Sequence, residues 1–204
     1  MLWFIERPYR RLRFGRAVVI VSGLPRSGTS MMMRMLEAGG LPLLVDASRR
    51  PDESNPLGFY EYARVKTLPT EADTSWLRAA RGKGLKVVSP LLRYLPAALN
   101  YKVILVQRDL REVIASQNAM LTRSNEPTEV VPEARLLAML EQEERRARDL
   151  LTRRRCFATL EVSYGDTVER PREVAAQVES FLQAGLEVDD MVRAVDDRLY
   201  RQRA

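Results

Sequence analysis

The sequence predicts a three-layer α/β protein, with a central parallel sheet covered by helices on both faces. Three observations predict it. Short β-branched apolar runs alternate with segments of helical length, the pattern of a parallel sheet with crossover helices. The runs "AVVIVS" (17–22) and "YKVILVQ" (101–107) are apolar at nearly consecutive positions, as strands buried on both faces are. The chain has 204 residues, 46% hydrophobic and 29% charged, which suits one domain with a sizeable core. The expected organisation is a single domain over 1–204 with a basic, aromatic N-terminal arm at 1–16.

The elements follow in order. Residues 17–22 form the first strand. A helix begins at Ser27 or Gly28 and runs to about Ala38, where Gly39 and Gly40 stop it. Its methionines Met31, Met32 and Met35 read as core packing. Residues 40–82 open as a polar, Pro-rich loop that turns helical near Tyr60. "LKVVS" (85–89) is a second strand, and Pro90 starts a helix to about Leu99. The third strand is 101–107, ending at Arg108-Asp109, and a helix follows from Leu110 to about Leu121. "NEPTEVVP" (125–132) is a linker. A long helix at 133–155 carries Glu and Arg on a solvated face. "CFATLEVSY" (156–164) is the fourth strand, and two helices lie near 171–184 and 188–202.

Composition removes several function classes. The chain has no histidine, which excludes His-based proton transfer and His metal ligation. A single cysteine, Cys156, permits no internal disulfide and reads as a buried strand residue rather than a nucleophile. The formal charge of +6 steers anions mildly, but no basic aromatic stripe points to nucleic acid. No run approaches the roughly 18 apolar residues of a membrane span. The start, "MLWFIERPYRRLRFG", has no continuous apolar stretch leading to a cleavage site, so the expectation is a cytoplasmic protein without a leader. That arm is expected to pack on its own domain. It or the long charged helix offers a contact for a homo-oligomer.

The sharpest signal is "VSGLPRSGTSMM" (21–32), a strand running through a glycine-rich turn into a helix. A helix N-terminus presents unpaired N–H groups and a positive dipole end. Gly23 and Gly28 permit tight turning and close approach of an anion. Ser27, Thr29 and Ser30 add hydroxyls, and Arg26 adds a planar cationic fork. Charge-assisted hydrogen bonds of this kind contribute about 1.5–3 kcal/mol each. Gly23 and Gly28 have the spacing of the nucleotide-binding P-loop, but Thr29 stands where that loop has its lysine. The fold expected is therefore P-loop-like. Ligands in such sheets bind beyond the strand C-termini, which brings the 22–30 loop, the 108–116 segment and the loop carrying Glu61 around one cleft.

Together, "GLPRSGTS" and "VILVQRDLREVIASQ" (103–117) resemble the sulfotransferase superfamily, whose donor is 3'-phosphoadenosine 5'-phosphosulfate (PAPS). "NPLGFYE" (55–61) and "YGDTVERPREVAAQVESFL" (164–182) match its general pattern, so the resemblance covers about 17–184. The arginine of "PRSGT" is most similar to the protein-tyrosine and carbohydrate branches and their bacterial relatives. The resemblance implies that Arg26, Ser27, Gly28, Thr29 and Ser30 cradle the 5'-phosphosulfate. It implies that Arg108 and Ser116 hold the 3'-phosphate. Read from the residues alone, Arg108 also has Asp109 and Glu112 as ion-pair candidates, and Ser116 also reads as a plain helix hydroxyl. Tyr164 falls where the family has residues near adenine; packing within the core is the preferred reading and stacking the alternative.

Sulfuryl transfer to a hydroxyl acceptor needs a proton acceptor. Without histidine a carboxylate is the natural candidate, and the resemblance points to Glu61. A surface glutamate on a helix is the even-handed alternative, and Asp46 and Glu53 are weaker candidates. Family members put a lysine before the Ser/Thr-Pro at the second strand's end. Here "LKVVSP" has Ser89 and Pro90 but Val88 in the lysine's place. Lys86 lies on the same side of the strand, about 6–7 Å farther back. The expected reaction is transfer from PAPS to an alcohol or phenol, leaving PAP, with Glu61, Arg26 and Lys86 as catalytic residues and no metal. A P-loop kinase or NTPase, and a non-catalytic PAP-binding or scaffold protein, are the rival classes.

Overall fold

A computed structural model describes residues 10, 12–46, 59–124 and 132–196. Much of the expected N-terminal arm, Glu53, the linker at 125–131 and residues 197–204 lie outside the described residues; the last expected helix stops at Arg193, short of the expected 202. The sheet has four parallel strands, β1 (Val18–Ser22), β2 (Gly84–Lys86), β3 (Tyr101–Gln107) and β4 (Phe157–Ser163), in the order β2-β1-β3-β4. β1 pairs with β3 from Val18↔Tyr101 to Ser22↔Leu105, and β3 with β4 from Tyr101↔Phe157 to Gln107↔Ser163.

Each strand residue alternates between two apolar layers, which explains the continuous hydrophobic runs. Val18, Ile20, Leu85, Val103 and Leu105 face one layer. Ala147 and Leu151 of the helix Glu133–Arg153 close it, as do the 3₁₀ turns Ser75–Ala80 and Ser89–Tyr94. Val19, Val21, Ile104, Val106 and Val162 face the other layer, covered by α1 (Thr29–Ala38) with Met31, Met32, Met33, Met35 and Leu36 buried. The methionines are core, as their helical spacing predicts. In chain order the remaining helices are α2 (Leu110–Ser124), α3 (Glu133–Arg153), α4 (Tyr164–Glu169), α5 (Pro171–Leu182) and α6 (Val188–Arg193).

Some element boundaries differ from expectation for local reasons. β2 stops at Lys86, but Val87 and Ser89 still donate to Val21 and Gly23 carbonyls at 3.0 Å each, so the chain follows β1 into its turn without forming a ladder. Pro90 lies in a 3₁₀ turn, Ser89–Tyr94, not at the start of a helix to Leu99. Pro96 forces the preceding Leu95 into extended backbone (ψ 128), which ends the turn. Tyr164 opens α4 rather than closing β4, because the Ser163 hydroxyl accepts the Asp166 N–H at 3.2 Å as an N-cap. Cys156 is buried in the turn just before β4, and burial pushes its thiol up. No helix among the described residues is long and apolar enough to cross a membrane.

The strand order positions the site. The chain leaves β1 toward β2 on one side, then crosses back to β3 on the other. The loops after β1 and β3 therefore part from each other, opening a crevice at the carboxyl ends of two adjacent strands. Arg26 lies in the first loop and Arg108 in the second.

Candidate functional site

The loop after β1 is set by backbone constraints before any side chain acts. Gly23 (φ 155) lies where a Cβ would run into the Val106 carbonyl and the Ser27 hydroxyl. The Ser27 N–H returns to the Leu24 carbonyl at 3.1 Å, closing a turn. Arg26 sits at φ 73, a left-handed conformation that costs a side-chain-bearing residue about 1–2 kcal/mol. Gly28 (φ 100) starts α1, and a Cβ there would overlap the Tyr164 ring. No side chain caps α1, so its first N–H groups and positive dipole end stay with the loop.

The strained turn sends Arg26 across the crevice. Its Nε donates to the Ser116 hydroxyl on α2 at 3.1 Å, and its carbonyl accepts from Arg108 Nη1 at 3.3 Å. The two motifs thus meet at both ends of one residue. Arg108 is anchored by Glu112, one helical turn on, with Nε to Oε2 at 2.8 Å and both side chains buried (7% and 6% exposed). Asp109 is occupied otherwise: it accepts the Arg111 N–H at 2.8 Å and caps α2. The Arg108 guanidinium also lies 4.5 Å over the Tyr164 ring, whose other neighbour is Gly28. Burial pushes the Tyr164 phenol up, against the lowering influence of Arg108. Tyr164 is a packed aromatic between the two loops.

The expected cofactor carries phosphates at both ends, and the residues present fit such a group. The Ser22, Ser27 and Ser89 hydroxyls are buried without a hydrogen-bond partner among the described residues. Gly23 and Gly28 leave room that any larger residue would fill. Two arginines and an uncapped helix end supply positive charge with little carboxylate beyond Glu112.

Lys86 does reach the loop from its position behind Val88. Its Nζ donates to the Ser30 hydroxyl at 3.0 Å and to the Phe59 carbonyl at 2.9 Å. The Ser30 hydroxyl also approaches that carbonyl at 3.4 Å. Phe59 leads through Tyr60, at φ 53, to Glu61. The Tyr60 hydroxyl donates to Glu37 Oε2 at 2.9 Å, and burial with that carboxylate pushes its pKa up to about 12. Tyr60 is therefore a neutral phenol at physiological pH and no proton acceptor. Glu61 Oε2 lies 2.7 Å from Lys66 Nζ, and its side chain is 20% exposed. Asp46 is committed to the same segment: its N–H donates to the Glu61 carbonyl at 3.0 Å, and its Oδ2 accepts the Ala63 N–H at 2.6 Å.

The structure thus brings Arg26, Ser27, Gly28, Thr29, Ser30, Lys86, Arg108, Ser116 and Tyr164 around one crevice. Glu61 approaches it through Phe59, with its carboxylate against Lys66. The partnership of Glu112 with Arg108 was visible in sequence only as an i, i+4 spacing. The Phe59 carbonyl is a backbone group and leaves no sequence signal.

Comparison with known proteins agrees with this fold. The sulfotransferase domain model matches residues 16–202. No curated protein sequence matches significantly. Among solved structures, the sulfotransferase domain from the curacin biosynthetic pathway superposes with a TM-score of 0.51 at 16% identity, over 89% of this chain and 78% of that one. The sulfotransferase from Alicyclobacillus acidocaldarius gives 0.51 at 16% identity, over 90% and 88%. Both show the same fold. The domain match extends over most of the chain, and this protein belongs to the sulfotransferase family, whose enzymes transfer a sulfuryl group from PAPS and leave PAP.

Proposed function

We propose that this protein transfers a sulfuryl group from PAPS to the hydroxyl of an alcohol or phenol, using the crevice between the β1 and β3 loops. The observation that carries the reading is the Arg26–Ser116 hydrogen bond at 3.1 Å, which joins the two anion motifs into one site. The 22–30 loop would hold the 5' end through Arg26, Ser27, Gly28, Thr29, Ser30 and the N–H groups of α1. Arg108 and Ser116 would hold the 3' end. Tyr164 walls the space between them, next to the adenine. PAPS, when bound, supplies the sulfuryl group that moves.

The chain's own residues do the rest. Arg26 concentrates positive charge where the donor's leaving end gains negative charge. Lys86 adds a second cation beside Ser30, the position that Val88 leaves without one. Glu61 takes the proton from the acceptor hydroxyl after parting from Lys66, whose exposed ammonium is readily solvated. Arg26 in the loop supports placement among the protein-tyrosine and carbohydrate branches.

Calorimetry with PAP, PAPS, ATP and GTP tests the ligand class. Binding of PAP in the presence of EDTA is expected. Preferential, magnesium-dependent binding of ATP would overturn the reading in favour of a kinase or NTPase. A PAPS-dependent assay over a panel of phenols and alcohols then tests turnover; PAP binding with no transfer to any of them would favour a binding or scaffold role.

A further inference from the structure

We infer that a niche beneath the β1 loop, walled by Glu144 of α3 and by Ser89, takes an ammonium head of the acceptor, and that Glu144 thereby selects basic acceptors over acidic ones. The inference deepens the proposed reading of the crevice as a sulfuryl-transfer site and rests on it. The niche is lined by Gly23, Leu24, Ser89, Gln107, Glu144 and Arg148, and is otherwise apolar. Gly23 and Leu24 lead into the donor loop, and Gln107 directly precedes Arg108. The niche therefore opens at the carboxyl ends of β1 and β3, on the α3 face of the sheet. Its volume of about 10 Å³ is that of one water-sized group. It seats the tip of a ligand, not a ring.

Two side chains in the niche lack a hydrogen-bond partner. Ser89 is 4% exposed, and its hydroxyl has no partner among the described residues. Its N–H, donated to the Gly23 carbonyl at 3.0 Å, fixes the residue against the loop. The Glu144 carboxylate accepts no hydrogen bond among the described residues, and its ion-pair partner Arg148 stands 3.9 Å away. Arg148 is drawn off by Glu161, whose carboxylate it meets at 3.4 Å and which also accepts from Gln107. Glu141 is paired with Arg145 at 3.6 Å. Glu144 and Glu161 thus share one guanidinium, which leaves a negative charge in excess. Burial pushes the Glu144 carboxyl up against the lowering influence of Arg148, and Glu161 and Glu141 add to the rise.

A half-buried carboxylate without a hydrogen bond is costly, and a charged donor offsets that cost most. An ammonium has three N–H donors and no acceptor. It satisfies Glu144 and Ser89 together and balances the excess charge. A carboxylate in the same place would meet Glu144 unpaired. Glu61 keeps its task with the acceptor proton, while Glu144 acts at the far end of the acceptor.

Calorimetry on the protein saturated with PAP tests this with two phenols of closely similar shape, 4-(aminomethyl)phenol and 4-hydroxybenzoate. The amine is expected to bind at least about tenfold tighter, the worth of one charge-assisted hydrogen bond. Glu144→Gln, which keeps the shape and removes the charge, is expected to erase the preference with PAP affinity unchanged. Ser89→Ala is expected to weaken the amine alone. Glu141→Gln removes a neighbouring carboxylate that is already paired, and is expected to keep the preference. Equal affinities in the unmodified protein, no binding of either phenol, a preference that survives Glu144→Gln, or one lost equally in Glu141→Gln would each overturn the inference and leave the nucleotide reading standing. Absence of PAP binding in the unmodified protein would overturn both.

Discussion

The proposed donor half and the proposed acceptor half of this crevice are built in different ways. The donor half stands on regular elements: β1, β3, α1 and α2 present Arg26, Ser27, Arg108 and Ser116, with a buried Arg108–Glu112 pair and a packed Tyr164 locking the geometry. The acceptor half as proposed stands on the segment Phe59–Lys66, mostly irregular chain with one short 3₁₀ turn at Ala63–Val65, tied to the rest through Lys86 and Asp46. A binding site for an invariant ligand tolerates rigid burial. A site that must admit an acceptor and release its product needs a wall of low local stability. Substitutions should therefore divide by side: donor changes move PAP affinity, and folding with it where the side chain is buried, and acceptor changes move turnover.

The largest expected effect falls on the acceptor side. Glu61→Gln should lower turnover about 10²–10⁴-fold, the span of a lost general base, on whichever phenol or alcohol the unmodified protein sulfates. PAP affinity by calorimetry should not change, and a matching fall in PAP affinity would break the division. Arg108→Ala comes next. Removing the buried Glu112's ion-pair partner should cost about 3–5 kcal/mol of stability by chemical denaturation, with weaker PAP binding. Replacing both Arg108 and Glu112 by leucine should recover stability but not binding.

Gly28→Ala imposes a left-handed alanine whose Cβ meets Tyr164, and should cost about 1–3 kcal/mol from backbone strain alone. A Tyr164→Ala background should relieve the steric part. Arg26→Ala should weaken PAP binding about 10–100-fold, for one charge-assisted interaction, with little change in stability because the side chain is half-buried.

The smallest effect concerns pH. Glu144 on α3 has its carboxyl pushed up by burial first, and by Glu161 and Glu141, against Arg148. A carboxyl with a raised folded-state pKa binds its proton more tightly folded than unfolded. Stability from this group is thus highest at acid pH and falls as pH rises through the raised value. Glu144→Gln should flatten the decline above pH 4.5 in a pH series of denaturation curves, without touching PAP affinity.

The same division explains what could be read from the sequence. β1, β3 and the glycine-rich turn were legible because burial on both faces and phosphate-type turns impose residue types at fixed spacings. Strand periodicity put Lys86 on the side of Val88, and its ammonium reaches Ser30. Its bond to the Phe59 carbonyl was not legible, since any residue supplies a carbonyl. The helix expected to Leu99 failed because Pro96 acts one residue earlier than its own position, through Leu95. The α4 start at Tyr164 went unseen because Ser163 was read as strand rather than as a cap.

The central claim is that Arg26 and Arg108 hold opposite ends of one nucleotide. Calorimetric titration of the unmodified protein, Arg26→Ala and Arg108→Ala with PAP, 5'-AMP and 3'-AMP tests it most directly. Arg108→Ala should weaken PAP and 3'-AMP but leave 5'-AMP unaffected, and Arg26→Ala should weaken PAP and 5'-AMP but leave 3'-AMP unaffected. Equal losses for all three ligands in both variants would contradict the assignment.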